Sequence, residues 1–123
     1  MVLSETSCQQ MLAGYFGSAI EQHLWRHPQS TGRCFAAHTV NPLPEAANYA
    51  TKPFDVNSHH HQGVFLSGLS DELVPLALAE TEIDSGNTLV EAFKHHRKPI
   101  MAVQWHPEEW FDEFSCVMMK ELL

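Results

Sequence analysis

The run Ile100-Met-Ala-Val-Gln-Trp105 stops at His106-Pro107-Glu108, and that stop constrains the fold of this chain more than any other feature. A short, mostly apolar run closed by a proline reads as a buried strand rather than a helix. Pro107 has no N–H to give to a ladder and holds the residue before it extended, so the strand must end there. His106 is therefore expected at the carboxyl end of a strand, where parallel sheets usually present their chemistry. Glu108, two residues on, can fix the imidazole tautomer and stabilise the imidazolium, which leaves the other ring nitrogen to act as a base. The same tripeptide also suits a histidine that caps a strand and bonds a surface glutamate. The three residues alone leave both readings open.

The remaining segments read as one small α/β domain over residues 1–123. Val2-Leu3 is followed by Ser4, Glu5, Thr6 and Ser7, which offer a turn and a helix cap. Met11, Leu12, Tyr15, Phe16, Ala19, Ile20 and Leu24 then recur at helical spacing, with Gly17-Ser18 as an early stop. Cys34 to Val40 reads as a strand closed by Asn41-Pro-Leu-Pro44, and Phe54 to Ser58 as a short extended segment. The apolar run Pro75 to Ala79 and the segment Thr88 to Phe93 flank Asp84-Ser-Gly86-Asn87, a hairpin-type turn. A basic turn, Lys94 to Pro99, leads into the Ile100 strand. The tail from Glu109 to Leu123 places Phe111, Phe114, Met118 and Leu122 on one helical face.

Charge narrows the partners. A net charge of -8 argues against nucleic acid and against an anionic membrane surface, since both need clustered Lys and Arg. No run is long enough to span a bilayer, and no signal peptide opens the chain. Cys8, Cys34 and Cys116 make an odd count without motif spacing, which suits a reducing compartment, so the expected location is cytoplasmic. In His59-His60-His61, alternation would let His59 and His61 share a ligand. Two imidazoles make half of a zinc site at best, and no third ligand is placed beside them, so neither a metal nor another cofactor is expected. Asn57, Ser58 and Gln62 around them are rich in donors and acceptors, which suits either a polar substrate or an exposed loop.

Taken together, "VNSHHHQG" and "LVEAFKHHRKPIMAVQWHPEE" resemble the C-terminal half of a class I glutamine amidotransferase. The similarity is greatest to the gamma-glutamyl hydrolase-like branch, peptidase C26, which includes gamma-glutamyl-GABA hydrolases. The residues that carry it are Asn57, Ser58, His60, His61 and Gln62, then Val90-Glu91-Ala92, then Val103, Gln104, His106, Pro107 and Glu108, with weaker support from His38-Thr-Val40. The resemblance implies half of a flavodoxin-like α/β domain, a mixed sheet with flanking helices. It implies a Cys-His-Glu triad that hydrolyses a glutamine-type side-chain amide through a thioester, with His106 as base and Glu108 orienting it. Gln10, Asn57, Ser58, His60, His61 and Gln62 would line the substrate.

The family's nucleophile elbow, Gly-x-Cys-x-Gly-x-Gln, aligns without gaps on Ser4-Glu5-Thr6-Ser7-Cys8-Gln9-Gln10. Gln10 matches the elbow glutamine, Thr6 stands at the nucleophile position, and both glycines are replaced, which crowds a turn that tolerates little Cβ bulk. A two-residue slip would make Cys8 the nucleophile at the expense of the match to Gln10. Two readings follow: a gamma-glutamyl amide hydrolase using Cys8, His106 and Glu108, or a binding or regulatory module that keeps the pocket wall without the elbow. In both, the elbow strand would be a bare edge that must pair with another strand. A homodimer or a partner half-domain is the expectation.

Overall fold

Apolar strand faces drive the architecture, because residues that alternate along a strand must bury two different sides. In chain order the elements are β1 (Val2–Leu3), α1 (Thr6–Tyr15), β2 (His38–Pro42), β3 (Phe54–Val56), β4 (Leu73–Ala79), β5 (Val90–His95), β6 (Met101–Val103) and α2 (Glu113–Leu122). The computed structural model describes residues 2–3, 6–20, 38–57, 62–79, 88–107 and 112–122. Its strands make one sheet in the order β1-β6-β5-β4-β2-β3. β1 runs parallel to β6, with Val2 opposite Met101 and Leu3 opposite Ala102, and the other pairings are antiparallel. This is the mixed α/β sheet with flanking helices that the sequence implies, with β1 at one edge.

The two faces of the sheet bury different helices. Met101 and Val103 of β6 join Ala92, Leu76, Val40 and Trp105 in a core closed by Phe114 and Met118 of α2. Ala102 points the other way, to Val90, Phe93, Leu73 and Ala13 of α1. Phe54, Trp105 and Phe114 meet as an aromatic trio, with ring centroids 5.4–5.6 Å apart. Pairs of this kind add about 0.5–1.5 kcal/mol each beyond the area that they bury.

Boundaries differ from the sequence pattern where a neighbouring strand outweighs local composition. Lys94 and His95, read as the start of a basic turn, continue β5 because Lys94 pairs with Met101 and Val74. β6 is shorter than the apolar run suggests, ending at Val103. α1 stops at the glycine as expected: Gly17 has φ 95°, Gly17 N donates to Gly14 O (3.0 Å), and Ser18 N donates to Ala13 O (3.0 Å). This double bond is the Schellman closure that a left-handed glycine permits. The helical apolar pattern overstates burial, since Met11 and Tyr15 are 73% and 79% exposed while Ala13 is buried. Among the described residues no helix is long and apolar enough to cross a membrane. Cys34, the Asp84–Asn87 turn and Phe111 lie outside the described residues.

Candidate active site

Beyond Val103 the chain leaves the ladder in stages. Gln104 N still donates to Glu91 O on β5 (2.8 Å). Trp105 turns into the α2-side core, where its Nε1 donates to Asp112 Oδ2 (3.0 Å) and Ser115 Oγ (3.1 Å). Asp112 caps α2, its Oδ1 accepting from Ser115 N at 2.6 Å. Burial pushes the Asp112 carboxyl above its usual range, and these bonds pull against that rise. His106 follows, buried, and its backbone meets one side chain twice. His106 N donates to Asn57 Oδ1 (2.9 Å), and Asn57 Nδ2 donates to His106 O (3.1 Å).

α1 begins at the same end of the sheet, because Leu3 lies beside Ala102 and the helix opens at Thr6. Its buried Gln10 donates through Nε2 to Gln62 O (2.8 Å) and, more weakly, to Gln104 Oε1 (3.4 Å). That glutamine therefore ties the elbow helix to β6 and to the segment before Gly63. Thr6 and Cys8 both lie in the first turn of this helix. Of the expected site residues, Gln10, Asn57, Gln62 and His106 thus converge at one end of the sheet. Ser58, His60, His61 and Glu108 lie outside the described residues.

His38 and Glu91, named from the sequence only as positions that carry the resemblance, form a further buried pair at this end. His38 Nε2 of β2 lies 3.3 Å from Glu91 Oε1 of β5, with side chains 3% and 0% exposed. A carboxylate at that depth needs a partner, and a charged residue inside the apolar run Leu89-Val90-Glu91-Ala92-Phe93 was the signal that could have found it. Glu91 also holds Gln104 through its carbonyl, so the pair lies one ladder step from the route to His106. Among the described residues no group of three His, Cys, Asp or Glu side chains is placed to hold a metal ion. A cavity of about 430 Å³ opens elsewhere, between loop 47–54 and α2, and none of its lining residues belongs to this cluster.

The peptidase C26 family model matches residues 9–108. The chain belongs to that family. The glutamine amidotransferase-like protein YvdE of Lactococcus lactis subsp. lactis (strain IL1403) is 34% identical over 108 residues, 80% of this chain and 42% of that protein. Among solved structures, a GMP synthase-type protein from Thermoplasma acidophilum superposes with a TM-score of 0.63 at 19% identity, covering 93% of this chain and 51% of that one. A glutamine amidotransferase from Thermotoga maritima gives 0.59 at 13% identity, covering 95% and 44%. At such identities the likeness is one of fold, and it confirms the amidotransferase-type sheet. This C26 chain spans about half the length of the relatives it matches.

Proposed function

We propose that this chain is a gamma-glutamyl hydrolase-like member of the family whose site takes a glutamine-type side-chain amide. The observation that supports the reading most is the fixed placement of His106, locked at the end of β6 beside the helix that carries Gln10. In this reading His106 is the base and Glu108 its orienting acid. Ser58, His60, His61 and Gln62 supply the polar wall. Cys8 is the nearest thiol to an elbow whose family position holds Thr6. Attack on the amide carbonyl would form a thioester and release ammonia, with the proton passing through His106. A glutamine analogue bearing an electrophile tests this at neutral pH. Labelling of Cys8 that disappears in His106→Ala supports hydrolysis, whereas absent labelling, or labelling equal in the variant, removes it.

A second reading is favoured by the elbow itself, where Thr6 stands at the family's nucleophile position and Ser4 and Cys8 replace its glycines. In that case the chain binds the amide without turning it over, and glutamine would bind, as read by calorimetry, with no ammonia released. For either reading we propose a partner at the β1 edge, a second copy or a half-domain supplied by another chain, because among the described residues β1 closes the sheet order with two paired residues. A monomeric mass by light scattering, from the chain purified alone and with co-expressed partners, would rule that out.

A further inference from the structure

We infer that Asn57 is a positioning residue for His106 rather than a substrate contact. This rests on His106 being the base of the proposed site. The need for such a residue follows from where the ladder ends. After Gln104, β5 turns its bonds to another segment: Val90 N donates to Val64 O (2.8 Å) and Leu66 N donates to Thr88 O (2.8 Å). Pro107 then prevents the chain from continuing as a strand. Among the described residues His106 has no strand beside it, yet its peptide N–H and C=O are buried, and such groups must find partners.

Asn57 supplies both. A carboxamide has the same donor and acceptor as a peptide group, so one side chain can replace one rung of a ladder. The 2.9 Å and 3.1 Å contacts use its oxygen and its nitrogen together on one residue, which fixes His106 against both translation and twist. Asn57 itself is buried and follows β3 directly, where Val56 pairs with His38, so the clamp is anchored in the sheet. With one donor and one acceptor given to His106 and the side chain fully buried, Asn57 is poorly placed to read a ligand. Gln10 mirrors it on the other flank, with Nε2 given to Gln62 O and Gln104 Oε1. A base must be held to a fraction of an ångström, and misplacement by about 1 Å can lower a rate about a hundredfold.

Asn57→Ala and Asn57→Asp test the assignment; the aspartate keeps the acceptor for His106 N but sets a carboxylate against His106 O. We expect the His106 amide to exchange with deuterium at least about tenfold faster in Asn57→Ala. The His106 ring NMR signals should move in both variants. A diazoketone analogue of glutamine should inactivate each variant at least about tenfold more slowly, with its half-saturating concentration unchanged. A weakened half-saturation with the maximal rate and the His106 ring signals unmoved would overturn the assignment and make Asn57 a substrate contact. If the wild-type chain takes up no analogue, the functional reading falls, while amide exchange and ring signals still decide the role of Asn57. If neither variant folds, protection of the His106 amide in the wild-type chain decides: fast exchange overturns the clamp and slow exchange upholds it.

Discussion

His95 and His106 stand at opposite ends of the β5–β6 pair, both buried, and the chain treats them in opposite ways. At His95 the ring does the holding. Its Nδ1 accepts from Arg97 N (3.1 Å) and Lys98 N (3.0 Å), closing the turn into β6, and Phe16 and His96 pack on it at 4.7 Å and 4.8 Å. At His106 it is the backbone that Asn57 holds, through both its N–H and its C=O. A histidine whose ring nitrogen is fixed as an acceptor is a structural part of the fold. One whose main chain is clamped by another side chain is held in place without its ring taking that part, which is what the proposed base would need. Histidine content, high in this sequence, says nothing of that difference.

The sharpest way to break the contrast is to exchange the two sites. His106→Ala should lower the rate of reaction with the glutamine-mimicking electrophile by about 10²–10⁴-fold, the usual contribution of a positioned acid–base group. His95→Gln should leave that rate unchanged while the chain stays folded. Equal losses from both would mean that the site depends on global stability and not on placement.

A smaller effect separates two neighbouring glutamines at the His106 end. Gln10→Leu should destabilise the chain by about 1–3 kcal/mol in a denaturant melt, since Gln62 O loses its partner. Gln9 is equally buried, yet neither its amide nitrogen nor its oxygen has a partner among the described residues. Gln9→Leu should therefore be neutral or stabilising, by up to about 1 kcal/mol. A loss at Gln9 as large as that at Gln10 would show that Gln9 carries an interaction of its own.

The smallest expected effect lies at the turn. Burial first, and then the adjacent His96, hold the His95 pKa below its usual value, with Lys98 and Arg97 adding to the shift and Glu72 opposing it. The unfolded chain therefore binds a proton at about pH 6.5 that the folded chain resists. Stability from His95 is present above that pH and is lost as pH falls towards the folded value. The denaturation midpoint should drop modestly between about pH 7.5 and 5.5, and His95→Gln should flatten the slope. An unchanged slope would assign the dependence to other histidines.

The parts legible in the sequence were those in which local signals and packing agree. The stop at Pro107, the left-handed Gly17 and the face of α2 that bears Phe114 and Met118 are examples. Other features depended on distant residues. β5 runs through His95 because β4 and β6 lie on either side of it, which a basic run cannot announce. Met11 and Tyr15 share the helical spacing of Leu12 and Phe16 but stand on the far side of α1. Asn57 reads as a ligand-binding residue because its polar neighbours do. Only the geometry reveals that its amide is engaged with a backbone 49 positions further along the chain.

The edge pairing of β1 has a kinetic consequence. Val2 meets Met101 across roughly a hundred residues, whereas β4, β5 and β6 pair with near neighbours in sequence. Closing so long a loop carries a larger entropic penalty, and contacts of high separation form late. The half of the site that carries His106 should then assemble before the half that carries Thr6 and Gln10. Pulse-labelled hydrogen exchange during refolding would show β5 and β6 amides protected ahead of those in α1.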